Sequence, residues 1–394
     1  MLIYNCKIKI VSNSDIEKGF VSIKRGIIDN VGDMDNIAEK ISSSDINAEG
    51  HTLMPGFIDS HCHVGVFGDG QGNEAVDANE VTDPLTPHLS ALDAVNPADR
   101  CFHEALMGGV TTVITGVGSA NAIGGSLIAI KTYGGFKIDN RVIQSPLAIK
   151  MALGENPKTC YRDRDESPTT RMATAAAIRE QLAKATRYLK DINAYNESKE
   201  PGYDGGDLTL PEYDAKNEAL LPLLKKKIKA HIHCHRADDI FTAIRICKEY
   251  DIEYVLVHAT ESGAIADELL GENCIIGPVI CDRSKLELNN MNISTSGILN
   301  KIGVKIAICT DHPVTPVQYL PLCAGIAIRG GLDHDAALRA ITLNAAEICG
   351  ISNRVGSIEK GKDADLLLFK GNFYDVLETP SLIIAGGKII RNEV

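Results

Sequence analysis

Histidines and one aspartate stand at the ends of four separate apolar runs. His61 and His63 close the first of these runs and are two residues apart. In an extended chain residues i and i+2 point to the same face, so both imidazoles project together. Later runs end at His233, at His258 and just before Asp311. Because imidazoles and carboxylates bind divalent metals such as zinc, we interpret these positions as a metal site.

These candidate ligands are dispersed between residues 61 and 311, and no two cysteines have Cys-x2-Cys spacing. A local zinc module is therefore excluded. A dispersed set converges only if the fold brings the strand ends to one edge. The fold must accordingly be one in which many strands end together.

Between about residue 54 and residue 355, short β-branched runs alternate with helical stretches, and residues 169–191 form the clearest predicted helix, with Ser167 or Thr169 as its N-cap. The alternation predicts a (β/α)8 TIM barrel, which places catalytic groups at the carboxyl ends of its strands. An eighth strand is expected, either between residues 186 and 230 or in a segment whose sequence pattern does not reveal it. An open doubly wound sheet is the alternative, but no glycine-rich dinucleotide fingerprint follows the first run. The seven visible runs cover 56–61, 110–115, 147–151, 230–233, 254–258, 274–277 and 306–310.

Both ends of the chain differ in sequence pattern from the middle, because they consist of strand-like runs broken by turns. We expect residues 1–53 and 356–394 to fold together as one small sheet domain beside a barrel formed by residues 54–355. Two polar, glycine-containing stretches, 64–97 and 196–214, are too long for ordinary connections and are predicted to cover the substrate.

The composition excludes several functions. The 394 residues carry 40 basic and 52 acidic side chains, a net charge of -12, which argues against a nucleic-acid partner. No apolar run approaches the ~18 residues that a membrane span needs. The eleven cysteines, without a secretory signal, indicate reduced thiols and a cytoplasmic location.

Three segments resemble the amidohydrolase superfamily: MPGFIDSHCH at residues 54–63, TLNAA at 342–346 and GKDADL at 361–366. The segment HCHRADD at 233–239, with the His258 and Asp311 runs, is most similar to the imidazolonepropionase-like branch. The resemblance implies a (β/α)8 barrel with a β-sandwich formed by both termini. It also implies one or two divalent metal ions, usually Zn²⁺, and hydrolysis of a carbon–nitrogen bond.

Carried over by position, the resemblance makes His61 and His63 the ligands of the first strand and His233 that of the fifth. His258 corresponds to the histidine of the sixth strand, which in some members contacts substrate instead of metal. Asp311 corresponds to the aspartate of the eighth strand.

The group that would bridge two metals has two candidates. Glu155 resembles a glutamate ligand of the sugar-deacetylase-like members, whereas Lys150 could be carboxylated, as in the dihydroorotase-like members. Residues five apart in a strand point to opposite faces, so only one is expected to serve. We favour Glu155, which stands closer to the rim. If neither serves, the site is mononuclear.

His235 and Arg236 are the predicted substrate contacts. His235 is two residues from His233 and so faces the same side of an extended chain, and a guanidinium can bind a carboxylate through two parallel hydrogen bonds. The alternatives are an exposed loop histidine, and an arginine paired with Asp238 or Asp239 on the surface.

The function expected is hydrolysis of a cyclic amide or N-acyl compound by metal-activated hydroxide. Asp311 would act as general base and then acid, while His258 holds the metal or the oxyanion. The alternatives are a metal-dependent deaminase of an aminated heterocycle and, from another class, a metal-free barrel scaffold. The partner is expected to be a small-molecule substrate, and superfamily members are often homo-oligomers.

Overall fold

Two eight-stranded sheets organise the chain in the computed structural model, which describes residues 1–38 and 40–394. The first sheet begins with five strands from the amino-terminal part of the chain. Hydrophobic residues alternate in them and form their own core, which includes Ile3, Ile8 and Val21. The five strands are β1 (Leu2–Ile8), β2 (Ile16–Lys24), β3 (Ile27–Asp33), β4 (Ile46–Asn47) and β5 (Thr52–Pro55).

The second sheet forms the wall of a nearly closed barrel, and its strands lie in chain order around it. Most of these strands are buried on both faces, which explains their continuous apolar runs. The eight strands are β6 (Phe57–Cys62), β7 (Val110–Gly116), β8 (Ile123–Lys131), β9 (Val142–Ala152), β10 (Lys229–Cys234), β11 (Tyr254–His258), β12 (Asn273–Ile276) and β13 (Lys305–Ile308).

All seven strands predicted from the sequence are present. The eighth does not lie between residues 186 and 230, so of the two expectations the one of a strand hidden in the pattern holds. The missing strand is β8, and it runs antiparallel to both β7 and β9. Residues 186–228 contain no strand among the described residues; they hold the end of one helix and the whole of the next. The barrel is therefore of the TIM type but departs from strict (β/α)8 order, because β7, β8 and β9 form a meander without intervening helices.

Side chains close the barrel between its first and last strands. The Oγ of Ser60 in β6 donates to the carbonyl of Ile308 in β13 at 3.0 Å. Asp59 accepts hydrogen bonds from the backbone N–H of Thr310, at 3.2 Å, and from its hydroxyl. Burial raises the pKa of Asp59 to about 7. Asp59 therefore joins the two strands instead of orienting a ligand side chain directly.

Ten helices are described around the barrel and between its strands. The long helix begins and ends later than expected, and its N-cap is Thr170, whose side chain accepts from Ala173 N–H. The helices are α1 (Ala91–Ala94), α2 (Cys101–Met107), α3 (Glu155–Arg162), α4 (Arg171–Glu197), α5 (Ala215–Leu224), α6 (Ala237–Glu249), α7 (Thr295–Lys301), α8 (Leu320–Arg329), α9 (His334–Ala340) and α10 (Leu343–Ile348).

Much of the barrel interior below the carboxyl ends of the strands is apolar. Ile58, Leu127, Val257 and Ile275 pack in this lower part against residues of α10, which closes the bottom. The buried His231 of β10 is a polar exception there. An interior of this kind leaves one open end at which polar side chains can gather. Within the described ranges, no helix has the length and apolarity to cross a bilayer, and all eleven cysteines are free.

The chain returns to the terminal sheet with β14 (Leu366–Phe369), β15 (Leu382–Ala385) and β16 (Lys388–Asn392). The sheet order is β16-β15-β14-β5-β1-β2-β3, with β4 paired to β1. Because β14 pairs with β5, both ends of the chain share one sheet, as expected. A two-layered sandwich and the boundaries at residues 53 and 356 remain predictions.

Candidate metal centre

Five of the six predicted metal ligands converge at the carboxyl ends of the barrel strands. His61 lies in β6 and His63 just after it, while His233 lies in β10 and His258 ends β11. All four histidines are at least nine-tenths buried. Asp311 follows β13, and its backbone N–H donates to the carbonyl of His61 at 3.2 Å. The fold thus brings together residues that are far apart in the sequence.

One group of donor atoms surrounds the Asp311 carboxylate. Its Oδ1 lies 3.6 Å from Nε2 of His61 and 3.4 Å from Nε2 of His63. The donor atoms of His61, His258 and Asp311 all lie within 4.8 Å of one another. Separations of this size suit ligands of one common ion.

A second group lies on the opposite side of His258. The donor nitrogens of His233, His235 and His258 also lie within 4.8 Å of one another. The rings of His235 and His258 are stacked, with centroids 4.8 Å apart. His258 therefore belongs to both groups and stands between them.

Hydrogen bonds fix which ring nitrogen faces the site. The Nδ1 atoms of His63 and His258 donate to the carbonyls of Gly116, at 2.8 Å, and Gly277, at 2.6 Å. A carbonyl only accepts, so each Nδ1 carries the proton and each Nε2 keeps a free lone pair. These two imidazoles are oriented as metal-binding histidines are.

Burial keeps the imidazoles uncharged. It lowers the pKa of His61, His233 and His258 far below the ordinary histidine value. Burial also lowers the pKa of His235, to about 4. Neutral imidazole is the form that binds metal, so the site has this form at neutral pH.

Burial alone would raise the pKa of the Asp311 carboxyl, but its neighbours act more strongly in the other direction. Electrostatic interactions with the neighbouring His258 and His63 rings bring this pKa below its ordinary value. The carboxylate is therefore ionised and able to accept a proton or bind a cation.

The backbone at two of these residues is unusual. His258 has φ of 70° and Asp311 has φ of 52°, both in the left-handed region. Non-glycine residues seldom adopt this conformation, and it costs of order 1–3 kcal/mol. The strain occurs at two strand ends and points to a functional constraint on both side chains.

Lys150, not Glu155, stands beside the converging ligands. The Nζ of Lys150 donates to Nε2 of His61 at 2.8 Å inside the barrel, and burial lowers the pKa of this amine to about 8. Glu155 begins α3, and its carboxylate accepts the backbone N–H of Glu287 at 3.3 Å. Glu155 belongs to neither group of donors. The sequence argument that favoured Glu155 relied on closeness to the rim and did not foresee that a helix begins there.

The two predicted substrate contacts are placed differently. His235 is 4% exposed, and its Nδ1 lies 2.7 Å from Oγ1 of Thr260, so it is not an exposed loop histidine. Arg236 makes two 2.9 Å hydrogen bonds with Asp238 at the surface. The structure thus brings His235 to the site and leaves Arg236 outside it, although a role for either in substrate binding stays a prediction.

A cavity of about 470 Å³ opens above the two groups. His63, His233, His235 and Asp311 line it, and so do residues of loops that the sequence did not single out. Of the predicted covering loops, 64–97 contributes Phe67 and Asn79, whereas no described residue of 196–214 lines the cavity. The other lining residues include Asn156 of α3 and the loop residues Ser119, Pro278, Cys281, Lys285 and Pro313.

Glu287 is the acidic residue that sequence reasoning missed. It is 2% exposed, and its Oε1 lies 3.7 Å from Nε2 of His233 and 3.6 Å from Nε2 of His235. It stands in a short 3-10 turn of a loop, not at a strand end, so no pattern in the sequence marks it.

A TIM-type barrel with neutral imidazoles and an ionised carboxylate at the carboxyl ends of its strands is the architecture of a metal-dependent hydrolase. The model of the amidohydrolase family matches residues 52–390. The chain therefore belongs to the amidohydrolase family, which confirms the recognition from sequence and the expected class of carbon–nitrogen hydrolases.

Individual comparisons agree with this assignment. A solved amidohydrolase from Thermotoga maritima MSB8 is 37% identical, with a TM-score of 0.92 and 99% of each chain covered. An imidazolonepropionase from Geobacillus thermodenitrificans is 26% identical over 96% of this chain and 91% of its own length. The amidohydrolase tasK of Hapsidospora irregularis is 28% identical over 89% of this chain, which spans only 38% of that longer protein.

Proposed function

We propose that this protein is a metal-dependent amidohydrolase that hydrolyses a non-peptide carbon–nitrogen bond in a cyclic amide or an N-acyl compound. The observation that carries the proposal is the ionised Asp311 carboxylate, within 3.6 Å of two imidazole nitrogens and lining the cavity. A carboxylate in this position can serve a reaction as well as bind an ion.

The residues present fit a divalent cation such as Zn²⁺. Imidazole nitrogens and carboxylate oxygen are zinc ligands, and the Nε2 lone pairs of His63 and His258 are free because each Nδ1 donates to a carbonyl. His61, His63, His233, His258 and Asp311 would hold one or two ions. When bound, such an ion lowers the pKa of water from 15.7 to about 7 and polarises a carbonyl.

Asp311 is the proposed general base and acid. As water attacks the carbonyl carbon, a carboxylate oxygen of Asp311 accepts the proton that is released. The same residue then returns this proton to the departing nitrogen, so the amine leaves as a neutral group. The low pKa of Asp311 keeps it in the accepting form beforehand.

His258 and Lys150 are the proposed supporting groups. The bond from His258 to Gly277 fixes the ring, so that its Nε2 lone pair would face the cation, whereas contact with the oxyanion of the intermediate would require a protonated Nε2. Lys150 approaches His61 as an amine. Its neutral amine would add to carbon dioxide, forming an N–C bond and releasing one proton, to give an anionic carbamate within reach of the first donor group. Glu155 would need to leave its bond with Glu287 to serve instead.

The cavity is of the size expected for a small-molecule substrate. Lys285 donates to Oδ1 of Asn156 at 2.7 Å, so the cavity wall presents polar hydrogen-bonding groups beside the histidines. These groups suit a compact polar ring or acyl chain.

The test is a screen of enzyme reconstituted with Zn²⁺ against hydantoin-like rings, N-acyl amino acids, dipeptides and aminated heterocycles. Ring opening or deacylation, followed by mass spectrometry of the products, is the expected result. Release of ammonia from an intact heterocycle would replace the proposal with the deaminase alternative. Absence of both bound metal and turnover would favour the metal-free scaffold.

A further inference from the structure

Lys285 places a positive charge in the wall of the cavity. The side chain is half-buried and lines the cavity together with His233 and His235. Among the residues that the structure describes, Lys285 forms no ion pair, because its Nζ donates instead to Oδ1 of the neutral Asn156 amide at 2.7 Å. An ammonium has three N–H donors, so this single bond leaves donors available to a ligand.

The carboxylates that line the cavity do not compensate this ammonium. They belong to Asp282 and Asp311. Asp282 is exposed to solvent and makes no ion pair with Lys285 within the described ranges. The Asp311 carboxylate is engaged elsewhere, since its Oδ1 lies 3.4 Å from Nε2 of His63. The cavity therefore offers a positive charge to whatever small molecule enters it.

One side chain holds the ammonium close to the candidate metal centre. Nδ2 of Asn156 donates to Oγ of Ser119 at 2.6 Å and lies 3.4 Å from Nε2 of His233. Because the two polar atoms of an amide are about 2.2 Å apart, Nζ of Lys285 lies at most about 8 Å from this imidazole nitrogen. Burial lowers the pKa of His233 most, and the charge of Lys285 is among the nearby charges that lower it further. A small molecule can therefore reach both groups at once.

A carboxylate is the substrate group that fits this arrangement. The carbonyl of an amide is neutral and gives the ammonium no opposite charge. An N-acyl amino acid, or a cyclic amide with an acidic side chain, carries a carboxylate a few bonds from the carbon–nitrogen bond. A charge-assisted hydrogen bond from Lys285 to that carboxylate would both bind the substrate and orient its carbonyl toward the histidines.

We propose that Lys285 determines specificity by binding a carboxylate of the substrate. The substrates are then small N-acyl amino acids or cyclic amides with a carboxylate side chain. Asn156 is the positioning residue, because its neutral amide holds the ammonium without cancelling its charge. The inference rests on the proposed function for the bond that is cleaved, whereas binding of the carboxylate does not require cleavage.

The experiment compares substrates that differ only in this charge. With the full-length enzyme reconstituted with Zn²⁺, a panel of N-acetyl amino acids is assayed beside the corresponding carboxamides. Hydantoin rings with a carboxymethyl side chain are assayed in the same way beside their carbamoylmethyl analogues. The wild type should hydrolyse the carboxylate form with a kcat/KM at least ~10-fold higher, since hydrogen bonds to charged groups are stronger than neutral ones.

Lys285→Met removes the charge and keeps the length of the side chain. It should raise KM for the carboxylate form by ~10-fold or more. Its kcat, and both constants for the carboxamide form, should stay within about twofold of the wild type, because the charge contributes to binding only. Lys285→Arg keeps the charge and should retain most of the preference. A merely structural role for Lys285 would instead weaken both forms equally.

Arg283→Met is the matched control. This variant removes a neighbouring cation whose guanidinium donates to the carbonyl of Met291 and does not line the cavity. It should leave the preference for the carboxylate form unchanged.

Equal kcat/KM for the carboxylate and carboxamide forms, or a preference that persists in Lys285→Met, would overturn the carboxylate site and leave the proposed hydrolysis standing. If the enzyme cleaves none of these amides, the proposed function fails, and calorimetric binding of the same compounds decides about Lys285. Tighter binding of the carboxylate form that is lost in Lys285→Met would support the site. Binding without that difference, or no binding of either form, would reject it.

Discussion

Two buried polar clusters occupy opposite ends of the barrel strands, and they differ in how completely their atoms are paired. The rim cluster contains His61, His233 and Glu287, each with a buried atom that lacks a partner. The junction cluster lies where the barrel meets the terminal sheet. It consists of Lys131, Tyr133, Arg354, Asp363 and Asp365.

In the junction cluster every charge has an opposite charge or a donor. The Lys131 ammonium lies 2.6 Å from Asp365 and 2.9 Å from Asp363. The Tyr133 hydroxyl donates to Asp365 at 2.6 Å, and Arg354 lies 2.9 Å from Asp363. None of these side chains has an unpaired buried atom.

The difference separates a structural role from a functional one. A fully paired cluster has no capacity left for a ligand and can only hold the two sheets together. A cluster with free lone pairs retains that capacity at a cost in stability. Burial alone does not distinguish the two clusters, whereas hydrogen bonding does.

The largest expected effect is that of Asp311→Asn in the rim cluster. The amide cannot accept the proton, so kcat should fall by about 10³-fold or more. The melting temperature should fall only modestly and the variant should still fold, because the neighbouring side chains stabilise the charged carboxylate that is removed. Steady-state kinetics and thermal unfolding on the same preparation measure both quantities.

Asp267→Asn, which changes an exposed carboxylate, is the control for Asp311→Asn. It should alter neither kcat nor stability. Turnover by Asp311→Asn within tenfold of the wild type would contradict the role given to the rim cluster.

The next effect is expected in the junction cluster. Lys131→Met leaves two buried carboxylates short of a cation, so the free energy of unfolding should drop by about 3–5 kcal/mol. Urea denaturation measures this change, and kcat per folded molecule should be unaltered. Lys226→Met, which removes an exposed pair with Asp251, is the control and should change stability little.

A smaller effect is expected from the metal. An ion that binds only the folded protein should stabilise it by about 2.7 kcal/mol at a hundred times its Kd. Thermal unfolding with chelator and with added Zn²⁺ measures the difference. The same increment should appear in Lys131→Met, because the two clusters are at opposite ends of the strands. A lost increment in that variant would mean that the clusters are coupled.

The smallest effect is expected for Arg236→Ala. Because Arg236 pairs with Asp238 and does not line the cavity, KM should change less than about threefold. A tenfold rise in KM with unchanged kcat would restore the substrate contact predicted from the sequence.

The placement of the candidate ligands at the strand ends was predictable from the sequence, because each marks the end of a buried apolar run. His61, His233, His258 and Asp311 all follow such runs, and a barrel brings their ends to one rim. The pairing of both termini in one sheet was equally predictable from the strand-like runs at each end of the chain.

Other features could not be read from the chain. The strand β8 follows a glycine-containing segment, and nothing in its composition shows that it runs in reverse. Glu287 and Lys285 lie in a loop, where position depends on tertiary contacts such as the bonds to Glu155 and Asn156. The start of α3 at Glu155 ends the extended strand that the comparison with Lys150 assumed, so closeness to the rim did not bring Glu155 to the histidines.

The reversed strand β8 has a consequence for how the substrate pocket can diversify. Since β7 turns back directly into β8, the pocket wall at residues 118–120 is a short hairpin loop with no helix attached to it. Insertions or deletions in that hairpin would reshape the cavity together with the segments bonded to it, at Ala78, Asn79 and Asn156. The cavity could therefore change shape at this one corner while the strands that carry the candidate ligands stay in place.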